Sequence, residues 1–302
     1  MIDSGSLTPG IDARAFGVPA GTALRIEQPA SALRSRLPTY AVLDSDPSVW
    51  KGPDSWILPG WAQLWIVLTD GPIGVEMRSR RYASLGEAMV FGPTSRAMPV
   101  SSRGGVSIVV DISPMAWARL FDVPADEHRD KIMPLEALKP GWADALVPML
   151  HRSDRSGQIK DLLDGFLLEH LPPPHHDEAS IVRLSDMLRA DDDGGEPWAM
   201  SSRTLLRLAN RHFGYGPKVL MRRTRFLRVL TDMMLAPEPP DFSVVPTGYH
   251  DVPHFLRDAN FFLGMTPRRF LAIPMPYLHA VLRARTMVIG APMPMLDPSP
   301  QV

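Results

Sequence analysis

The sequence predicts an α+β protein in two parts, an N-terminal β-barrel or sandwich carrying helices and a C-terminal all-α part. Three observations predict it. Short β-type runs bounded by turn residues crowd residues 62–112. The hydrophobic period then switches from two to 3.6 and stays there. Finally, Leu206, Arg207, Ala209, Asn210, Gly214, Pro217 and Lys218 return 50 residues later as Leu256, Arg257, Ala259, Asn260, Gly264, Pro267 and Arg268. Six of these seven pairs are identities, so the C-terminal third was built twice. A chain of 302 residues with 45% hydrophobic residues has material for two globular domains, on a prior of ~150 residues each.

The elements follow in order. The first 40 or so residues mix Gly, Pro and Ala with little periodicity and read as a mostly irregular lead-in. Strands are expected at 62–68, 73–77, 87–91 and 105–112, punctuated by Gly71-Pro72 and Ser102-Arg103-Gly104-Gly105. Such close spacing suits a sandwich or small barrel. Ser113-Pro114 supplies a cap and a proline at the first helical position, opening a helix through Phe121. Ile159, Leu162, Leu163, Phe166, Leu167 and His170 share one face of another helix. Leu171-Pro172-Pro173-Pro174-His175-His176 ends it and reads as a semi-rigid linker. The expected division is a domain over 1–171, a linker over 172–177, a helical domain over 178–288 and a disordered tail over 289–302. The His175-His176 pair has no third ligand at useful spacing, so the linker reads as solvated and no metal site is expected. Ile181, Leu184 and Leu188 keep helical spacing until Asp191-Asp192-Asp193-Gly194-Gly195 ends that helix.

A net charge of −1 hides a split. Residues 1–195 carry 19 Lys/Arg against 26 Asp/Glu, whereas residues 196–290 carry 13 against 6. Twelve of those thirteen are arginine, whose planar fork suits phosphate and guanine better than an ammonium does. A basic block beside an acidic one is the electrostatic footprint of a nucleic-acid-binding domain. A solvated basic face balancing the other domain is the alternative.

Within the repeat, a serine cap at Ser201-Ser202 precedes a helix that stops at Gly214. Leu205, Leu208 and Ala209 turn inward, while Arg203, Arg207 and Arg211 form an outward stripe able to enter a major groove. In the second copy Asp251 caps, Pro253 opens the helix, and Arg257 takes the place of Arg207. Salt bridges within each unit are the other use for these arginines. Between the copies, Val219, Leu220, Phe226, Leu227, Leu230 and Met234 line one face of a helix, with Arg223 the exception. A rigid helix could set two readers at the ~34 Å that separates successive major-groove turns.

The phrases Ser202-Arg203-Thr204-Leu205, Phe213-Gly214-Tyr215-Gly216-Pro217-Lys218, Arg222 with Arg225-Phe226, Gly248-Tyr249-His250-Asp251, His254-Phe255 and Gly264-Met265-Thr266-Pro267 stand in a telling order and spacing. Over residues 178–285 the chain resembles the DNA-binding domain of AraC-type transcription regulators. The resemblance implies two helix-turn-helix units joined by a long helix, with double-stranded DNA as partner. It places Arg203, Leu206 and Arg207, then Val252, Pro253, Leu256 and Arg257, toward the bases. Thr204, Arg211, Lys218, His254 and Arg268 complete the expected DNA-binding set. The N-terminal part is similar to the cupin-like domain that often precedes such a module, through Leu58-Pro59-Gly60, Ala88-Met89-Val90-Phe91-Gly92-Pro93, Ser113-Pro114 with Trp117, and Met133-Pro134-Leu135. That implies a sensory or dimerisation domain, with a small-molecule effector and a homodimer as further partners. Trp50, Trp56, Trp61 and Trp65 cluster early in the β part; Trp61, Trp65 and Phe91 are the expected ligand-binding residues, ordinary core and rim being the alternative.

The chain departs from the pattern at three places. The helix behind the first reader has only Glu196-Pro197-Trp198-Ala199-Met200 to form from, and the one behind the second must form over 241–247 against Pro240 and Pro246. Val252-Pro253 stands where a polar residue is common. One dominant reading head at 203–211 and one supporting clamp around Arg257 are therefore expected.

Other functions lack their chemistry. With no cysteine there is no disulfide, thiolate zinc site or cysteine nucleophile. His128, His151, His170, His175 and His176 all fall beyond the strand-rich segment, so no catalytic metal is expected in the barrel. No phosphate-binding glycine loop or Gly-x-Ser-x-Gly elbow occurs. No apolar run reaches the ~18–20 residues of a membrane helix, and Met1-Ile2-Asp3-Ser4-Gly5 lacks the start of a signal peptide. The expectation is a cytoplasmic DNA-binding transcription regulator that is not an enzyme and needs no cofactor. A protein-interaction regulator with a degenerate helix-turn-helix module is the alternative, and a barrel enzyme a distant third.

Overall fold

A computed structural model describes residues 4–48, 55–68, 73–77, 80–154, 157–190 and 201–297. The N-terminal half is sheet-rich and the C-terminal half helical, as the sequence predicts. In order, the first half contains β1 (Gly5–Ser6), β2 (Thr22–Glu27), α1 (Ser31–Arg34), β3 (Tyr40–Ser45), β4 (Ser55–Ile57), β5 (Ala62–Leu68), β6 (Gly74–Met77), β7 (Arg80–Tyr82), β8 (Ala88–Phe91), β9 (Met98–Ser101), β10 (Gly105–Ile112), α2 (Pro114–Leu120), β11 (Ile132–Pro134), α3 (Trp142–His151) and α4 (Ile159–His170). One sheet runs β1-β2-β3-β10-β5-β8-β11 and the other β4-β9-β6-β7. All pairings are antiparallel except β1 with β2.

Period-two alternation sorts the side chains of the larger sheet between two cores. Leu64, Ile66 and Leu68 of β5, with Val106, Ile108 and Val110 of β10, lie under α2, α3 and α4. Trp65 and Val67 point the other way and meet Ile73, Val75, Met98 and Val100 of the smaller sheet, with Phe91 between. Asp164 is the polar exception on the buried side of α4. It accepts from the Ala30 amide at 3.0 Å and the Tyr40 hydroxyl at 3.0 Å, which fixes the chain between β2 and β3.

The strands expected at 62–68, 73–77, 87–91 and 105–112 are present within a residue of their limits, as are the helices after Ser113 and over 159–170. The irregular lead-in is corrected. β2 pairs with β3 over six residues, and its Leu24 and Ile26 are buried with Phe16 against Ala280 and Ala284. The partner that buries them arrives some 250 residues later in the chain, so no local pattern marks the strand.

The second half contains α5 (Glu178–Ala190), α6 (Ser202–Phe213), α7 (Pro217–Leu235), α8 (Val252–Leu263), α9 (Pro267–Leu271) and α10 (Pro276–Ile289). No described helix is long and apolar enough to cross a membrane. Residues 241–247 form turns, not the helix the resemblance implies; Pro240 and Pro246 deny the backbone its i→i−4 bonds there. The segments 191–195 and 196–200 and Trp50 lie outside the described residues.

The disordered tail is also corrected as far as residue 297. Ala291 and Met295 are buried, a 3-10 turn forms over Pro294–Leu296, and Asp297 takes both nitrogens of Arg285 at 2.6 and 2.8 Å. That segment closes a core shared by both halves. Leu58, Trp56 and Trp61 pack with Phe226, Phe262, Phe270 and Leu282, and Trp56 meets Phe270 edge-on at 5.3 Å.

Candidate nucleic-acid interface and ligand cavity

The two copies of the repeat fold alike, residue for residue. α6 and α8 are each 12 residues long, and their limits stand 50 residues apart at both ends. The Ser201 side chain accepts from the Thr204 amide, and Asp251 accepts from the His254 amide. Each cap satisfies an amide that the first helical turn cannot. Gly214 and Gly264 close the helices at φ +79° and +75°, the left-handed conformation that favours glycine. α7 joins the copies with 19 residues, ~28 Å at ~1.5 Å per residue.

The expected reading positions divide between surface and support. On α6, Arg203, Thr204, Leu206 and Arg207 are exposed while Leu205, Leu208 and Ala209 are buried, as the sequence predicts. Leu206 is 48% exposed. Arg211 is half-buried and reaches Asp122 at 3.4 Å. On α8, Pro253 and Arg257 are exposed, and Val252, His254 and Leu256 half-buried. His254 has its ring against Tyr249 and its Nε2 3.4 Å from Arg225, so it supports the helix more than it presents a surface. Lys218 and Arg268 are exposed at the starts of α7 and α9, with the Arg268 guanidinium 5.3 Å over the Phe242 ring.

Several functional supports escaped the sequence reading. Asp258, 1% exposed on α8, accepts from Arg222 at 2.6 and 2.9 Å and from the Tyr249 hydroxyl at 3.1 Å. This locks α8 to α7 where no helix stands behind it. Arg223, the exception on the apolar face of α7, is 2% exposed and donates to the Gly60 and Thr94 carbonyls at 3.1 and 2.9 Å. It ties the helical half to the sheets. Burial pulls its guanidinium down to about 10, with Tyr215 and Asp130 opposing. Tyr215 adds a bond from its hydroxyl to the Pro93 carbonyl at 3.2 Å.

The sheet half also approaches α6. Asp126 and Glu127 share a shallow groove with Arg203, Leu206, Arg207 and Arg211. An acidic wall therefore stands beside the basic stripe of α6.

A second recess, of about 200 Å³, lies between the sheets and α10. Trp61, Trp65 and Phe91 line it, as does Trp56, together with Val281 and Leu282 of α10 and Met293 of the tail. One chain of its polar groups is committed to itself. Trp65 Nε1 donates to Gln63 Oε1 at 3.0 Å, Gln63 Nε2 to Asp111 at 2.9 Å, and Arg285 is held by Asp297 with Asp111 3.7 Å away. The Ser45 hydroxyl is buried in the wall without a hydrogen-bond partner.

No family model and no curated protein matches the chain. Among solved structures it is similar to an apo single-substitution variant of ToxT from Vibrio cholerae strain SCE256, with a TM-score of 0.42 and 11% identity over 84% of this chain and 98% of that one. ToxT from Vibrio cholerae O395 matches at 0.40 and 10% over 84% and 98%. Unsaturated fatty acid bound wild-type ToxT from strain SCE256 matches at 0.39 and 11% over 84% and 96%. Likenesses at this level assign neither function nor ligand.

Proposed function

We propose that the chain is a sequence-specific DNA-binding transcription regulator of the AraC type, in which α6 and α8 read adjacent major grooves. The observation that carries this reading is the equivalence of the two capped helices, with Arg207 and Arg257 exposed at matching positions on a basic half of the chain. α6 is the main reader, since its exposed face offers Arg203, Thr204, Leu206 and Arg207. α8 offers chiefly Arg257 and clamps the backbone. The sheet half is the cupin-like sensory part, and the recess between the sheets and α10 takes a small effector.

The test is selection of bound fragments from a genomic library by the full-length protein, followed by a salt titration. Enrichment of one sequence class is expected, with affinity falling steeply as salt rises, because phosphate contacts release counterions. Arg207→Ala costs ~1–3 kcal/mol and relaxes one base position if its fork is bidentate to guanine. Arg257→Ala weakens all sequences alike if it grips phosphate. Absence of any bound fragment overturns the reading. It favours instead a protein-interaction regulator, for which the missing helix over 241–247 and the acidic wall beside α6 are the supporting observations.

A further inference from the structure

Folding brings together side chains that sequence spacing leaves apart. The His175-His176 pair lacks a third ligand in the linker, but α6 supplies one. In its last turn His212 comes alongside, and one ligand atom from each of His175, Asp177 and His212 lies within 4.8 Å of the other two. His212 is 2% exposed, and its Nε2 is 2.9 Å from Asp177 Oδ2. The rings of His175 and His212 meet edge-on at 5.2 Å, while His175 Nδ1 accepts from the Asp177 amide at 3.1 Å. The exposed His176 holds Nε2 3.5 Å from the same Asp177 oxygen, and Asp122 Oδ1 is 4.0 Å from His175 Nε2.

We propose that His175, Asp177 and His212 bind one divalent transition-metal ion of the zinc class, with water completing the shell. Two imidazoles and one carboxylate suit zinc or cobalt rather than magnesium or calcium, which take oxygen sets. Ligands at ~2.0–2.2 Å from an ion stand ~3–3.5 Å apart in a tetrahedral shell. The three ligand atoms, all within 4.8 Å of one another, must therefore draw together by about an ångström to share an ion.

His212 Nε2 already faces Asp177 Oδ2 at 2.9 Å, and to ligate through that nitrogen the neutral imidazole carries its proton on Nδ1. Two carboxylates, Asp177 and Asp122, face the dication. Of the other nearby charges, Arg211 pairs with Asp122 and Glu178 is engaged by Arg119 and Arg36.

An ion here joins the interdomain linker to the end of α6, so occupancy stiffens the base of the first reader. The binding site itself is independent of the DNA reading. The test uses chelator-stripped full-length protein titrated with Co²⁺ and then Zn²⁺. One equivalent of Co²⁺ with the visible bands of a tetrahedral nitrogen–oxygen site is expected, displaced by Zn²⁺ with a rise in Tm. His175→Ala and the isosteric Asp177→Asn carry the test, because both residues lie nearer the surface than His212. Each weakens binding by at least about tenfold, the scale on which metal sites respond to loss of even an outer partner. Replacing His151 and His250, which are exposed elsewhere, leaves it unchanged. No stoichiometric binding, or binding indifferent to His175→Ala and Asp177→Asn, overturns the proposal.

Discussion

Arg223 shows what a single residue reveals and conceals. The sequence marks it as the one break in the apolar face of α7, but its reason is two carbonyls, those of Gly60 and Thr94, on loops of the other half. No spacing rule connects residues that far apart. Arg223→Met keeps most of the volume yet leaves the Thr94 carbonyl unpaired and the Gly60 carbonyl with only the Thr94 amide, and a hydrogen bond to a charged donor contributes ~1.5–3 kcal/mol. Urea unfolding of the full chain should show that loss, whereas an unchanged midpoint would mean that water replaces the guanidinium. The arginines of α6 were legible because helical period alone turns them outward; His212 was not, because its partner Asp177 comes from the linker. His212 gives stability a pH dependence of definite sign. Its folded value lies below the ordinary 6.5, so as pH falls through 6.5 the unfolded chain takes up a proton that the folded one refuses. Stability is then lost toward acid and levels off once pH passes below the folded value. His212→Gln should flatten the fall in urea midpoint between neutral and mildly acidic pH in the metal-free protein; an equally steep fall would place its origin elsewhere.

At the scale of elements, local chemistry wrote most of the answer. Ser201 and Asp251 start helices, Gly214 and Gly264 stop them, and Pro217 and Pro267 restart the chain, all within one repeat. Where pairing partners are remote the reading fails, as at β2, whose burial depends on α10. The same logic explains the turns over 241–247: two prolines outweigh what the repeat would otherwise build, and the Asp258 cluster with Arg222 and Tyr249 holds α8 instead. The two closing glycines then separate local from tertiary roles. At Gly264 a Cβ meets nothing within 4 Å, so Gly264→Ala pays only the left-handed penalty of ~1–2 kcal/mol. At Gly214 the same Cβ stands 3.0 Å from Pro93 Cβ and Cγ and 3.3 Å from the Ala125 carbonyl. Gly214→Ala should therefore cost clearly more, and push α6 away from the acidic wall. Equal losses in thermal unfolding would show that the Pro93 contact yields without resistance.

The whole molecule is less divisible than its sequence suggests. A Pro-rich linker and a charge boundary imply two independent bodies, but Arg223, Tyr215, Trp56 and Arg285 beside Asp111 interlock them. Composition reports none of this, since each tie joins residues far apart in the chain. The recess between the sheets and α10 inherits walls from both halves, so an occupant there bears on how the two halves are held together. Its charge balance argues for the kind of occupant. Arg285 is its cation, and both oxygens of Asp297 hold that guanidinium, with Asp111 3.7 Å away on the other side. Burial raises Asp111 and Asp297 against the pull of Arg285. An anionic headgroup would have to displace a carboxylate already bound in bidentate fashion, which desolvation makes costly. If the recess takes an effector as proposed, a neutral, flat or branched apolar molecule suits the space between Trp61, Trp65, Phe91 and Val281 and can offer one hydrogen bond to the unpartnered Ser45 hydroxyl. A ligand present at 100 times its Kd stabilises the folded chain by about 2.7 kcal/mol. Neutral indole-sized alcohols and amines should therefore raise Tm more than carboxylates of equal size, and Trp61→Ala should abolish the difference. A larger shift with the carboxylates would mean that Arg285 exchanges Asp297 for the ligand, freeing the tail and loosening the joint between the two halves.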